Sequence, residues 1–401
     1  MIMNKKLFTN YHERMKARNF RFFSCLRGYI LLALINTIFC APIFSSSPGS
    51  TSANFLKIAV GARASGMGEA AVGVSDDVNS VYWNPAGLGT LADKEVSFLY
   101  TKWLDDMSYQ YFLGAYPVKF ENFPTQTIGV AAYNLSYGNI QGADYEGAKT
   151  EKIKANDMAF CLSDGFAIAE NLYTGLSVKY ISEALDTKKA TAIAGDAGIF
   201  YKSDLLGGDM GFGLSARNFG QGLKFVSEEY PLPMNIAFGT SYKKNLFGLE
   251  DPLTIAVDVN KPSDNKLYFN AGAEYWILNL VGVRVGYKTG QDIGLGLRAG
   301  LGLRMNIFQL DFAYAGYDKL GDTFRLGMTL KFGKPAKLRI TSIPATSEEI
   351  DALLKSAEKL YTDGRYAEAI LEYSKVLNLD ATSKKAIEGM RKCNEKLQEK
   401  K

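Results

Sequence analysis

The chain has 401 residues, enough for one large domain and a smaller module, and its formal net charge of +4 is too small to indicate a nucleic-acid partner. Hydrophobic residues make up 47% of it, yet beyond the N-terminus no apolar run reaches the roughly 18 residues that predict a membrane helix. Abundant Gly, Tyr and Phe with little Pro favour many extended strands over a helical bundle.

The N-terminal region has the pattern of a secretory signal peptide. Basic residues from Arg14 to Arg27 precede a short apolar stretch from Tyr29 to Cys40, and small residues follow at 45–47. A membrane anchor is the alternative, but the apolar stretch is too short for a comfortable span. We therefore predict that residues 1–47 are a signal peptide, cleaved somewhere around residues 41–50.

Cleavage would remove the only histidine, His12, together with Cys25 and Cys40. The remaining Cys161 and Cys393 lie in different predicted domains. A Ser-His-Asp triad, a His-liganded zinc site and a disulfide framework are then excluded. We predict no catalytic, metal or cofactor site; a barrel hydrolase at the membrane ranks last among the functions considered, because the usual phospholipase arrangement needs a histidine.

Residues 48–94 are rich in glycine and carry the most specific motif of the chain. Glycines and an Asn-Pro corner permit tight backbone turns in a confined space. Adjacent carboxylates could suggest a metal or an acid–base pair, but they more often end a turn, and the glycine spacing lacks the strand–turn–helix context of a dinucleotide site. The motif residues are Gly61, Arg63, Gly66, Gly68, Asp76, Asp77, Trp83, Asn84, Pro85, Ala86 and Gly87.

Residues 95–333 alternate between apolar and polar or small side chains, as strands with two different faces do. In the segment from Phe324 to Phe332, every second residue is apolar and the others are Arg, Gly, Thr and Lys. About fourteen such segments can be counted, with short and long connections in turn. Their predicted starts are near residues 95, 108, 126, 156, 171, 191, 209, 232, 252, 265, 280, 294, 308 and 323.

This pattern predicts an all-β transmembrane barrel of about 14 antiparallel strands, although a secreted β-sandwich would alternate in the same way. Aromatic residues near the segment ends favour the barrel, because they would form the girdles at the two membrane interfaces. Those residues are Tyr116, Tyr173, Tyr201, Tyr242, Trp276 and Phe332. One residue fits badly: Asp164 falls on an apolar face, where a β-bulge or a place near the rim would relieve it.

The polar faces place charges of both signs inside the predicted barrel, where they would pair with each other or with a plug. A purely apolar fatty-acid tunnel would carry fewer of them. The predicted lumen charges are Lys179, Asp196, Arg217, Asp258, Glu274, Arg284, Arg298, Arg304, Asp311 and Arg325.

After a linker at 334–346, marked by Pro335 and Pro344, the hydrophobic period becomes helical. Residues 347–400 match the spacing of a tetratricopeptide repeat, with a further capping helix. We predict a small all-α repeat domain in which Tyr366 and Tyr373 fill the groove and form part of the repeat surface. An amphipathic hairpin without a recognition role is the alternative, because one repeat does not exclude it.

The motif of residues 59–88 closely resembles the N-terminal region of the PorV/PorQ family and, more distantly, that of FadL-type transporters, in which it folds into the barrel as a hatch. The PorV/PorQ resemblance implies an outer-membrane accessory barrel in protein secretion or surface delivery, with type IX secretion as the reference case. The FadL resemblance implies instead a channel for fatty acids or other hydrophobic solutes. The C-terminal repeat departs from the familiar PorV/PorQ members, which end at the barrel.

The expected partners are outer-membrane lipid, the barrel-assembly machinery that would recognise the last strand ending at Phe332, and a protein bound by the C-terminal repeat. A hydrophobic solute is the further expectation of the channel interpretation. The helical domain would lie in the periplasm, because it follows the last strand of the barrel.

Overall fold

The computed structural model describes residues 47–119, 124–246, 251–291, 293–333, 335–336, 347–379 and 383–399. The predicted signal peptide, apart from Ser47, lies outside the described residues, and so does most of the predicted linker. Both therefore stay predictions.

The central body is a closed antiparallel barrel of fourteen strands, as predicted, with the first strand (Lys94–Lys102) paired along its whole length to the last (Asp322–Phe332). Two further short hairpins stand outside the ladder, β4–β5 (Ile140–Ala143, Lys149–Ile153) and β10–β11 (Leu223–Lys224, Glu229–Tyr230). The barrel strands are β1 (Lys94–Lys102), β2 (Ser108–Val118), β3 (Gln126–Ser136), β6 (Ala155–Ala169), β7 (Leu172–Leu185), β8 (Lys188–Leu205), β9 (Gly208–Gly220), β12 (Asn235–Asn245), β13 (Pro252–Pro262), β14 (Tyr268–Ile277), β15 (Val281–Lys288), β16 (Leu297–Met305), β17 (Phe308–Gly316) and β18 (Asp322–Phe332).

Apolar side chains cover the outside of this barrel. On β18, Leu326 is 56% exposed whereas its neighbour Arg325 is fully buried in the lumen. The same alternation of exposed and buried residues runs along the other strands. The apolar face therefore points outward, which is the arrangement of a membrane barrel and the reverse of a sandwich.

Two of the predicted girdle aromatics point inward instead. Tyr116, Tyr201 and Phe332 are exposed on the outer face, but Tyr173 and Trp276 are buried in the lumen. Their rings lie beneath inward-facing cations, Tyr173 under Lys202 and Trp276 under Arg304. The prediction of a girdle position was wrong for these two, because cation–π contacts hold them inside.

The connections form two distinct rims. One, here the turn rim, carries tight turns such as 170–171 and 306–307 and both ends of the barrel, Lys94 and Phe332. The other, here the loop rim, carries the β4–β5 and β10–β11 hairpins and the connections 263–267 and 289–296. Asp164 lies on the outer face as expected, while among the described residues the register shift of β6 against β7 falls at Ala167/Ala169.

Residues 51–92 fill the lumen and are called the plug. The plug contains two short helices, α1 (Ala62–Gly66) and α2 (Ser80–Trp83), and two 3-10 turns (Asn54–Lys57, Pro85–Thr90). It begins at the loop rim, where the Ser52 amide donates to the Pro231 carbonyl at 2.9 Å. It ends at the turn rim, where β1 starts. The plug therefore runs the full length of the barrel.

The C-terminal part forms three helices, α3 (Ser347–Thr362), α4 (Tyr366–Leu379) and α5 (Lys384–Glu399), around a small core of their own. Tyr373 is 5% exposed and its ring packs against Gly389 of α5. It is therefore a core residue and does not belong to a binding surface. Tyr366 is half-buried and its ring lies 5.4 Å from that of Tyr361. Within the described residues, no helix is long and apolar enough to cross a bilayer.

Candidate functional site

The plug is pinned to the barrel wall by Arg63. Its guanidinium binds Glu274 of β14 through two nitrogens, at 2.8 and 2.7 Å. The remaining terminal nitrogen donates to Asp76 at 2.5 Å and to Asp77 at 3.0 Å, both in the plug. One arginine therefore joins the start of the plug, its acidic pair and the wall, and this gives the three charges of the motif a structural role.

The network continues into the wall. Arg284 of β15 donates to the same carboxylate of Glu274 at 2.7 Å and pairs with Asp311 of β17 at 2.7 Å. Glu274 and Arg284 are almost completely buried. A buried charge is costly unless it is paired. Replacing any one member of this chain of ion pairs would therefore leave a buried charge without its partner and destabilise the fold.

Polar side chains of the wall also satisfy the plug's backbone. Asp258 of β13, fully buried, accepts hydrogen bonds from the amides of Ala71 and Val72 at 2.7 and 2.8 Å. Ser241 of β12 donates to the Gly73 carbonyl at 2.6 Å, and Asn270 of β14 donates to the Glu69 carbonyl at 2.9 Å. Irregular backbone in a closed lumen needs such partners, and the wall supplies them.

Two wall glycines show how closely the plug approaches. A β-carbon at Gly286 of β15 would overlap the backbone of Gly68, and one at Gly175 of β7 would overlap the Pro85 carbonyl. Gly68 itself has φ +68°, a left-handed conformation that glycine adopts at little cost. The lumen-facing glycines of the strands are therefore contact points for the plug.

The Trp-Asn-Pro-Ala-Gly corner of the motif has a structural role. The Trp83 indole donates to the Val60 carbonyl at 2.9 Å within the plug. The Asn84 side chain accepts from the Ala86 amide at 3.2 Å and donates to the Ile199 carbonyl of β8 at 3.1 Å. The corner therefore closes the second turn of the plug and fastens it to the wall.

All ten predicted lumen charges lie on inward-facing strand positions, and all except the half-buried Arg304 are buried. The structure brings together Glu274, Arg284 and Asp311 in the Arg63 network, and it pairs Lys179 with Asp196 at 2.7 Å. It gives Arg217 and Arg325 no carboxylate within 4 Å among the described residues.

The plug divides the remaining lumen into two chambers. The turn-side chamber consists of two cavities of about 320 and 350 Å³ that share Asp76 and Lys243. The loop-side chamber consists of cavities of about 160 and 330 Å³ that share Lys57, Glu69 and Lys288. Between them, the core of the plug contains a cavity of only about 20 Å³.

The sequence interpretation missed the charges of the loop-side chamber. Lys288 donates to Glu69 at 2.7 Å, and Lys57 pairs with Asp264. Lys288 shares the inward face of β15 with Arg284, so its alternation could have revealed it. The sequence carries no comparable signal for Glu69 or Asp264, because they lie outside regular strands. Among the described residues, no group of three or more His, Cys, Asp or Glu could hold a metal ion.

Comparison with solved structures finds remote barrels. The Ralstonia pickettii toluene transporter TbuX is 14% identical, with 68% of this chain and 98% of that chain covered and a TM-score of 0.47. The CymD monoaromatic hydrocarbon channel is 13% identical, with coverage of 69% and 98% and a TM-score of 0.47. The Pseudomonas putida toluene transporter TodX is 10% identical, with coverage of 72% and 98% and a TM-score of 0.44. These likenesses are too remote to indicate what this chain binds.

A family model gives the decisive match. No curated protein matches the chain. The model described as type IX secretion system protein PorV matches residues 47–263, which include the plug with its motif and the barrel through β13 and amount to more than half of the chain. The chain therefore belongs to the PorV family of type IX secretion system proteins and is an outer-membrane β-barrel.

Proposed function

We propose that this barrel is an accessory protein in secretion or surface delivery, and that it acts by engaging other proteins. The observation that carries the proposal is the plug that fills the lumen: the Arg63 network and the wall contacts hold it in place, and a cavity in its core measures only about 20 Å³. We take the lumen as closed on this ground. A closed barrel suits a protein that presents surfaces to partners. Membership of a secretion family supports the same reading.

The proposal places the turn rim in the periplasm. Short turns face that side in bacterial outer-membrane barrels, while longer loops face outward. The last strand ends at Phe332 on the turn rim, so the helices α3–α5 would lie in the periplasm as well. We assign them the role of a tetratricopeptide-like module that binds a protein partner.

Exposed apolar residues of the helices provide the test. Leu371 of α4 and Ile387 of α5 are 63% and 52% exposed, so changing them leaves the helical core intact. The double variant Leu371→Asp/Ile387→Asp in the full chain is expected to lower the amount of a type IX cargo at the cell surface several-fold. The control, Lys359→Asp on the exposed face of α3, is expected to behave as wild type.

Two outcomes would contradict the proposed role of the helices. Wild-type surface delivery by the double variant, with the protein present at normal level, would contradict a partner-binding role for the helices. Equal loss in the control would point to a general effect of added negative charge, and would also count against it.

The channel alternative makes a different prediction. If the plug were a movable hatch, Arg63→Ala should increase uptake of a labelled fatty acid into vesicles, because it releases Asp76, Asp77 and Glu274 from one another. The closed-lumen proposal expects no fatty-acid uptake by the wild-type protein above that of empty vesicles. Uptake by the wild-type protein that the variant increases would favour the channel.

A further inference from the structure

The charged side chains of the loop-side chamber are already engaged within the protein. Lys288 pairs with Glu69 at 2.7 Å, and Lys57 pairs with Asp264. The remaining charged residue that lines the described part of the chamber, Arg217, stacks on two aromatic rings of the plug, at 4.9 and 5.1 Å. A strongly charged ligand of either sign would have to break these pairs, so the chamber favours a neutral ligand.

Two buried polar atoms of the smaller cavity nevertheless lack a hydrogen-bond partner. Arg217 on β9 and Asn235 on β12 lie directly opposite each other in the strand register, and both line this cavity. They are 5% and 7% exposed. Among the described residues, Nε of Arg217 has no acceptor and Oδ1 of Asn235 has no donor. A buried atom of this kind costs free energy unless a ligand or water satisfies it.

These two atoms restrict the chemistry of what can bind. Nε of Arg217 only donates a hydrogen bond, and Oδ1 of Asn235 only accepts one. A carboxylate would satisfy the arginine but would set an acceptor against Oδ1, and an ammonium group would do the reverse. A hydroxyl group suits both atoms, because it donates one hydrogen bond and accepts another. The smaller cavity therefore suits a ligand that carries hydroxyl groups.

The larger cavity of the same chamber supplies aromatic rings. Its volume of about 330 Å³ lies within the range of roughly 300–1,000 Å³ that is typical of small-molecule sites. Trp103 and Tyr317 line it and are half-buried, with their ring centroids 5.4 Å apart in an edge-to-face arrangement. The two cavities share Lys57, Glu69 and Lys288, so one ligand of several units can occupy both.

The turn-side chamber does not offer its rings in this way. The aromatic residues that line its described part, Phe200 and Trp276, are 1% and 2% exposed. They lie beneath the cations of Lys202 and Arg304, at 6.0 and 3.9 Å from the ring centroids. A ligand could not stack on them without displacing these cations. The combination of half-buried rings with an unpartnered donor and acceptor therefore belongs to the loop side.

We propose that the loop-side chamber binds a neutral oligosaccharide. A sugar ring combines hydroxyl groups, which donate and accept hydrogen bonds, with an apolar C–H face, and these two properties match the two cavities. One sugar unit places its hydroxyls between Arg217 and Asn235, and a neighbouring unit lies on Trp103 and Tyr317. The loop rim faces outward in the proposed orientation, so the ligand is a glycan of the cell surface. This site goes beyond the proposed function, which concerns protein partners.

A printed array of bacterial surface oligosaccharides, followed by titration of the best ligand, tests the site. The purified mature chain is kept in lauryldimethylamine oxide, because a maltoside detergent would bring sugar headgroups of its own. We expect saturable binding of at least one neutral oligosaccharide, with an affinity that changes little as salt rises. Sorbitol, which has the hydroxyl groups but no ring, should not displace it.

Variants of the two cavities locate the ligand. Trp103→Ala should weaken binding at least about tenfold, whereas Trp103→Phe, which keeps a ring, should retain most of the affinity. Asn235→Ala should weaken binding about tenfold, because a hydroxyl group loses its acceptor. The control Lys243→Gln, in the turn-side chamber, should leave the affinity within about twofold. The heat-modified mobility of the barrel shows that each variant is folded.

Failure of every oligosaccharide on the array to bind would overturn the proposal, because water alone would then satisfy Arg217 and Asn235. Displacement by sorbitol would do the same, and so would an equal loss of affinity in Trp103→Ala and Lys243→Gln. Binding confined to acidic glycans, with an affinity that falls as salt rises, would contradict a neutral ligand. The assay reads the chamber alone, whereas the α3–α5 variants read cargo delivery.

Discussion

The two ends of the lumen differ in whether their buried arginines have carboxylate partners. On the turn side, Arg63 and Arg284 share Glu274, and each has a further carboxylate partner. On the loop side, Arg217 and Arg325 have none within 4 Å in the part of the chain that the structure describes. The paired end holds the plug to the wall, whereas the two unpaired arginines stack on aromatic rings, Arg217 on Tyr82 and Trp83 and Arg325 on Trp103.

The largest expected effect separates the two ends most clearly. Arg63→Met removes the partner of three carboxylates and leaves buried negative charge uncompensated. We expect the free energy of unfolding in detergent, measured by urea titration, to fall by about 3–5 kcal/mol. A loss below about 1 kcal/mol would show that the Arg63 network does not secure the plug.

The same substitution on the loop side is expected to change the free energy of unfolding in the opposite direction. Arg325→Met removes a fully buried cation that has no carboxylate partner, and a methionine of similar length can fill its place. We expect the protein to unfold at higher urea, with a gain of about 1–4 kcal/mol. Destabilisation as large as that of Arg63→Met would mean that Arg325 is satisfied within the folded chain, and the contrast between the two ends would fail.

A third variant tests the close contact between the wall and the plug in the stretch between the two ends. Gly286→Ala places a methyl group where the backbone of Gly68 lies. We expect a loss of about 1–3 kcal/mol, because neither backbone can move freely. In the control Gly327→Ala, the nearest atoms would be the flexible end of Leu99 at 3.3 Å and the Ala62 methyl at 3.5 Å. Equal stability of the two variants would show that the plug yields easily.

The smallest effect concerns the entrance at the loop rim. Lys57 pairs with Asp264, but its side chain is 40% exposed. Such a pair contributes little because water solvates the exposed lysine, and the buried Asp264 keeps a hydrogen bond from the Thr51 hydroxyl at 2.7 Å when the lysine is removed. Lys57→Ala should therefore change the urea midpoint by an amount equivalent to about 0–1 kcal/mol. A loss of stability comparable to that of Arg63→Met would show that contacts at the loop rim hold the plug in place.

The barrel could be predicted from the sequence because a strand that separates lipid from a packed lumen repeats its pattern every two residues. That pattern predicted the strand number and the inward charges. The plug was expected instead from the glycine-rich motif with its Asn-Pro corner and from the family resemblance of that motif. The pattern misplaced Tyr173 and Trp276, because a ring at the end of a strand can stack on a cation inside or anchor at the interface outside. Periodicity does not distinguish these two positions.

Other features depend on the three-dimensional path of the plug. Glu69 and Asp264 meet Lys288 and Lys57 only because the plug begins at the loop rim, which no local pattern reveals. Tyr373 matched the spacing of a repeat groove, but α5 packs over it and makes it part of the core. The sequence predicted that lumen charges would pair with each other or with the plug. It did not predict that Arg217 and Arg325 would have no carboxylate within 4 Å in the described part of the chain.

Amide hydrogen exchange in the plug tests the central claim, that the plug is a fixed part of the barrel. The amides of Ala71 and Val72 are bound by the buried carboxylate of Asp258. In the detergent-solubilised mature protein, they should exchange as slowly as the amides of the β13–β14 ladder. Exchange as fast as in the loop-rim connection 137–154 would show that the plug opens readily, and the closed-lumen account would be wrong.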